Sequence, residues 1–423
     1  MGSNNIRKKD KQNNKKKITP RRAFFITLGV FISVGLIALF ALTVIGKSEI
    51  RSAETDDQSS SPIVQTITEE DRASQNTGKT GNLEETDSEN SASAEPSGTL
   101  GTDEDSETVS VAFTGDILFD SGYAIMNRIS QNGGSLSGII SDEIQQNLNG
   151  VDICMVNNEF PYTNGGTPTE GKTYTFHADP SRTSLLTDMG VDIVTLANNH
   201  VYDYGETGLL DSLTALSSAG IEYAGAGQNL EEASAIRYFD IDGIKIAIIA
   251  ATDIEQMDNP DTKGATDTSP GVFRCVDDTL LLERIKEAHS TGAFTIVFVH
   301  WGKEKQQEPT WLQLQQAPEF VNAGADLIIG AHPHIFQRIE YVNGVPVVYS
   351  IGNFLFNSST LDTCVINAKI GNGGLQSLQF IPAIQQNCSV SFATGDEKSR
   401  IISEMQNISP TISIDDEGYI LAK

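Results

Sequence analysis

The chain has 423 residues, enough for one large domain or two small ones with tails. Its formal net charge is −27 even though nine Lys/Arg crowd the first 22 residues, so the remainder is strongly acidic and a poor electrostatic partner for nucleic acid. Any dealing with a polyanion needs local cations or bound metal.

In chain order, residues 1–22 carry Arg7, Lys8, Lys9, Lys11, Lys15, Lys16, Lys17, Arg21 and Arg22 against the single acid Asp10. Residues 23–46, AFFITLGVFISVGLIALFALTVIG, hold no charge. As a helix rising about 1.5 Å per residue this run extends about 35 Å, enough to cross a hydrocarbon core of about 30 Å. The following TVIGKSEI is a poor cleavage site, which favours an uncleaved transmembrane anchor over a removed signal peptide. Basic residues before the run predict a cytoplasmic tail over 1–22 and an extracytoplasmic location for everything after 46. Residues 47–108 contain sixteen acids against four bases and few large apolar side chains, the composition of a disordered, self-repelling Ser/Thr-rich linker. Hydrophobic segments recur at short intervals over 109–423, which predicts one folded domain.

Cys154 lies in the apolar run VDICMV and reads as a small buried hydrophobe. Cys364 and Cys388 lie in the C-terminal region, where an extracytoplasmic disulfide is chemically allowed.

The stretch GTPTEGKT, residues 166–173, fits the phosphate-loop pattern G-x-x-x-x-G-K-[ST]. That pattern holds nucleotide only when a helix opens at the lysine and its first amides face the phosphates. Here Pro168 removes one amide, TYTF alternates like a strand, and Pro180 follows soon after. The expectation is a surface loop entering a short strand, with no ATP bound. Lys172 remains available as a cation near an anionic substrate. GAGQNL, residues 225–230, lacks the third glycine of a dinucleotide fingerprint.

Five apolar, β-branched runs end in polar residues. VSVAFTGD ends at Asp116, VDICMVNNE at Glu159, and VDIVTLANNH at Asn198, Asn199 and His200. FTIVFVH ends at His300, and ADLIIGAHPH at His332 and His334. Helical stretches lie between several of them, among them PSRTSLLTDMG, ETGLLDSLTALSSAG and DDTLLLERIKEAHS, the last carrying His289 on its surface. This is the pattern of an α/β protein whose strands are buried on both faces, with its site outside the carboxyl ends of the strands. His177 follows the Lys172 segment; four of the six histidines stand at the strand ends. Imidazole, carboxylate and amide oxygen together suit a first-row divalent metal. A carboxylate between two such ions bridges them.

The stretches FTGDILFD, NNEFPYT, GKTYTFHADP, LANNHVYDYGETGL, GIEYAGAGQNLEEA, VHWGKEKQ, GADLIIGAHPHIFQRIE and VVYSIGNFLF run in order from about 109 to 357. They resemble the poly-γ-glutamate capsule-synthesis proteins of the CapA kind, within the calcineurin-like metallophosphoesterase superfamily. The resemblance implies a metallophosphoesterase-like sandwich of β-sheets flanked by helices. It implies one or two divalent metal ions, manganese, zinc or iron. In that scheme Asp116 ligates the first metal, Glu159 bridges, Asn199, His300 and His332 complete the second, and His334 returns to the first. His200 is the general acid, Asp203 orients it, and Glu304 and Lys172 line the substrate cleft. Two departures stand out: Leu118 occupies a position that is a histidine ligand in most of the superfamily, and Glu159 replaces an aspartate.

The function so implied is synthesis, export or anchoring of an anionic envelope polymer, poly-γ-glutamate, by metal-assisted attack of water or an amine on an amide bond. Capsule synthase subunits are the implied protein partners. Two other readings stay open: a metal-dependent phosphodiesterase, and a non-catalytic subunit that binds polymer or synthase.

Overall fold

The computed structural model describes residues 107–254 and 262–423. The basic tail, the apolar run 23–46 and nearly all of the acidic segment lie outside the described residues. Among the described residues no helix is long and apolar enough to cross a membrane.

The alternation of each strand decides the architecture, because successive side chains point to opposite faces of a sheet. In the strand Thr108–Ile117, Val109, Val111 and Phe113 face one buried cluster while Ala112 and Ile117 face another. In the strand Ile244–Thr252, Ile246, Ile248 and Ala250 join Val109 and its neighbours, while Ala247, Ile249 and Ala251 face a third cluster. Three apolar layers therefore separate four structural layers. The central cluster lies between two sheets. The outer clusters bury the helices Ala124–Gln131, Asp142–Gly150, Thr183–Met189 and Gly205–Ala219 on one side, and Thr279–Ser290 and Trp311–Ala323 on the other.

Among the described residues the first sheet has eight strands and the second six. In the first, Thr108–Ile117 runs parallel to Ile153–Asn158, which is parallel to Ile193–Thr195 and then Glu222–Ala224. On its other side lie the antiparallel hairpin Leu361–Gly371 and Gly374–Gln386 and then the edge strand Ser389–Phe392. In the second, Ile244–Thr252, Phe294–His300, Leu327–Ala331 and Val345–Val348 are mutually parallel in that order. The fold is mixed α/β. All five runs read as strands from the sequence are strands, and the three helical stretches are helices. His289 is exposed at the end of Thr279–Ser290.

One expectation is corrected, and the open question of the two C-terminal cysteines is answered. Residues 174–177 form no strand: the segment is irregular, and only a single bridge, Tyr162 to Ala178, marks its end. The main chain there is tied down by side-chain carboxylates instead, since Phe176 N–H donates to Asp203 and His177 N–H to Asp120. Cys364 and Cys388 are free thiols. Cys364 packs between the sheets and Cys388 in the helix-side cluster, on opposite faces of one sheet, so no disulfide spans them.

Candidate metal centre

The carboxyl ends of five parallel strands meet at one place. Thr108–Ile117, Ile153–Asn158 and Ile193–Thr195 in the first sheet bring Asp116, Glu159 and the Asn198–His200 segment. Phe294–His300 and Leu327–Ala331 in the second bring His300, His332 and His334. The approach is close at Gly115, where a Cβ would stand 1.8 Å from the Gly352 carbonyl oxygen. Asp116 N–H donates to that same carbonyl at 3.2 Å, and the strand register shifts beside it. A bulge of this kind re-aims a side chain. It turns Asp116 into the gap between the sheets.

Two overlapping donor groups result, each with its atoms within 4.8 Å of one another: Glu159, His300 and His332; and Asp116, Glu159 and His334. Glu159 belongs to both. The centre of the first group is crowded with acceptors. Around His300 Nε2 stand Asn199 Oδ1 at 2.9 Å, His332 Nδ1 at 3.1 Å and Glu159 Oε1 at 3.6 Å. One ring proton at most serves these three. In the second group His334 Nδ1 lies 2.9 Å from Asp116 Oδ2 and 2.7 Å from Asn353 Oδ1, and its Nε2 is 4.0 Å from Glu159 Oε1. Both Glu159 carboxylate oxygens are buried and accept no hydrogen bond.

A buried carboxylate without a donor is costly, and the cost disappears when a cation takes its place beside it. The donor set therefore fits a divalent metal. Electrostatics agree. Burial, then the charge of Asp116, drives the Glu159 carboxyl well above its ordinary range. Burial pushes His300 and His332 well below theirs, which leaves their ring lone pairs free for ligation. His334 moves the other way: burial lowers it, but Glu159 and Asp116 outweigh that and carry it up to about 10. The acids thus demand positive charge, from a proton on His334 or from an ion. Backbone strain marks the same loop, with φ of 95° at His332 and 59° at His334, a region that non-glycine residues rarely occupy.

His200 stands beside the ligands with Nδ1 2.8 Å from Asp203 Oδ2, under the ring of Phe176 at 4.4 Å. Burial lowers its proton affinity against the pull of Asp203. Asp203 is fully buried and also accepts from Lys172 Nζ at 2.6 Å. Lys172 also donates to the carbonyl of Asn199. This corrects the expectation of a cleft-lining cation: the Lys172 side chain is 6% exposed and is bound to Asp203. Glu304 is exposed and lines a cleft of about 500 Å³ whose floor includes Asn199 and His332. Leu118 packs in the helix-side core and faces away from the donor atoms' sheet gap.

Asn157 and Asn353 emerge only from the structure, and Asn198, read at a strand end, gains its role there. Asn157 donates to Asp116 Oδ1 at 2.6 Å and lies 3.3 Å from His300 Nδ1, so it links the two donor groups. Asn198 donates to Asn157 and to the Asn158 carbonyl, and receives the N–H groups of His200 and Val201. Asn353 meets His334. For Asn198 the signal was the doubled asparagine of NNH, where one amide supports and its neighbour Asn199 stands at the donor atoms.

Residues 110–358 match the family model described as bacterial capsule synthesis protein PGA_cap. The PGA biosynthesis protein CapA of Bacillus subtilis (strain 168) is 29% identical over 283 residues, 65% of this chain and 71% of that one. The capsule biosynthesis protein CapA of Bacillus anthracis is 30% identical over 226 residues, 52% of this chain and 54% of that one. Among solved structures, a phosphatase from Mycoplasma pneumoniae aligns with 67% of this chain and 95% of that chain at 12% identity and a TM-score of 0.40, too loose a likeness to argue from. This chain belongs to the PGA_cap family of bacterial capsule synthesis proteins.

Proposed function

We propose that this chain is a metal-dependent protein of capsule-polymer synthesis, export or anchoring, with a metallophosphoesterase-like sandwich that works on poly-γ-glutamate outside the cytoplasmic membrane. Residues 23–46 anchor it there, and capsule synthase subunits are its neighbours. Family membership supports the polymer. The observation that carries the metal is Glu159: a wholly buried carboxylate with no hydrogen bond, shared by two donor groups.

Asp116, Glu159 and His334 would hold one divalent ion, and Glu159, Asn199, His300 and His332 a second. Such ions polarise a carbonyl oxygen and activate water. The remaining work belongs to the protein. Asp203 accepts from His200 Nδ1, which leaves Nε2 to exchange a proton with the departing group. Lys172 fixes Asp203 from the other side. Phe176 covers His200 and Phe356 lies 4.9 Å from His334, so the reacting face is walled by aromatic rings that exclude water.

Elemental analysis of the full-length chain after incubation with manganese, zinc or iron tests the metal. The loaded protein is then assayed for cleavage or transfer of poly-γ-glutamate, with His200→Ala as the variant that keeps metal and loses turnover. Metal-free protein that still supports polymer export in cells would replace this reading with a non-catalytic one. Protease added to intact cells should remove the folded domain; a protected domain would reject the anchored topology.

A further inference from the structure

Trp311 is the most exposed large apolar side chain among the described residues, at 73%. It opens the helix Trp311–Ala323 and lines the cleft that holds Asn199, His332 and Glu304. Leu314, one turn further on, is 38% exposed. Among the described residues most of this indole is left uncovered, and water is an unfavourable neighbour for it. Yet the backbone under it is held firmly. Thr310 and Gln313 form a reciprocal capping box, and Gln313 is fully buried, donating to Gln337, which in turn donates to the Gln306 carbonyl. The loop between His300 and this helix has no slack at Gly302 (φ 92°), where a Cβ would meet Gln313 at 2.6 Å. A rigid, exposed aromatic face on a cleft that ends at the donor atoms is built like an anchor for a bound molecule.

We propose that Trp311 is a positioning residue for the polymer chain. Its indole takes the planar amides and methylene groups of γ-glutamyl units lying away from the reacting bond, while Lys303 on the same cleft faces their carboxylates. The occupant rests on the polymer reading above; its placement rests on the continuity of the cleft from His332 to Trp311. Held there, the chain brings one amide over the metal centre.

The chain has only two tryptophans, and the other, Trp301, is fully buried. Acrylamide quenching of the full-length protein therefore reports Trp311. A short γ-glutamyl oligomer should protect the parent from quenching and shift its emission to the blue. Trp311→Ala should bind the oligomer roughly tenfold or more weakly, the scale of a truncated tryptophan anchor, with KM raised, kcat unchanged, and metal content and Tm unaltered. Trp311→Phe should recover most of the affinity. Undiminished affinity in Trp311→Ala overturns the inference and leaves the polymer reading standing. No binding by the parent overturns both. A self-associated parent that Trp311→Ala renders monomeric, with oligomer affinity unchanged, makes this face a contact between copies and also overturns it.

Discussion

Lys172 Nζ lies 2.6 Å from Asp203 Oδ1, and both side chains are buried, at 6% and 0% exposure. The other Asp203 oxygen is 2.8 Å from His200 Nδ1. A loop that reads like a nucleotide-binding motif thus supplies the counter-ion for the residue that orients His200. Removing one partner of a buried pair strands the other and costs roughly 3–5 kcal/mol. Lys172→Ala should lower the unfolding free energy by about that much in denaturant titration, and lower turnover through kcat rather than KM. Unchanged stability would show that the pair is relaxed by water in solution.

The parts of this site that were legible in the sequence share one property. Asp116, Glu159, His300 and His332 each end a continuous β-branched run, so period and polarity located them together. The fold class was legible for the same reason: strands buried on both faces have no polar alternation. Lys172 was misplaced because its partner lies 31 residues away, across a segment with no regular structure to fix its direction. The helix Trp311–Ala323 carries Pro318 and several glutamines, which blurs its apolar stripe. Asn157 and Asn353 support ligands across sheets, contacts that no local pattern encodes.

Gly115 should tolerate no side chain. A Cβ there meets the Gly352 carbonyl at 1.8 Å, backbone against backbone, so the strands must separate. Gly115→Ala should destabilise by about 1–3 kcal/mol or more, as overpacking does. Because Asp116 hangs from the same bulge, the variant should also lose metal at the His334 side. Calorimetry and elemental analysis read both; full metal content with a normal Tm would refute the argument.

A carboxyl pair away from the centre sets a pH dependence. Asp278 precedes the helix Thr279–Ser290, and burial followed by its hydrogen bond to Glu319 raises it to about 6. A carboxyl raised on folding binds its proton more tightly in the native state. Its stabilising contribution is therefore present below the ordinary carboxylate range and is lost as pH rises through about 6. The Asp278 side chain makes no cap hydrogen bond to the helix, so Asp278→Asn removes the charge without loss of a cap. It should raise Tm at neutral pH, match the parent in acid, and flatten the change between. A variant less stable than the parent at neutral pH would contradict this sign.

The sharpest prediction uses Glu159, because two of its effects have opposite signs. In protein stripped by chelator, the carboxylate is buried beside Asp116 with neither oxygen hydrogen-bonded. Glu159→Gln removes an acid that is costly to ionise in that interior and adds amide donors for the neighbouring acceptors. The stripped variant should therefore melt at or above the stripped parent. Adding metal should reverse the order. An ion that binds only the native state at a hundred times its dissociation constant stabilises by about 2.7 kcal/mol. The parent should gain on that scale, and the variant little, since one shared ligand has been lost from both donor groups. Thermal melts of the two proteins, with and without manganese or zinc, give four numbers and one crossing. Parallel gains would remove Glu159 from the ligand set. No gain in either would mean that the acid is held for something other than a metal.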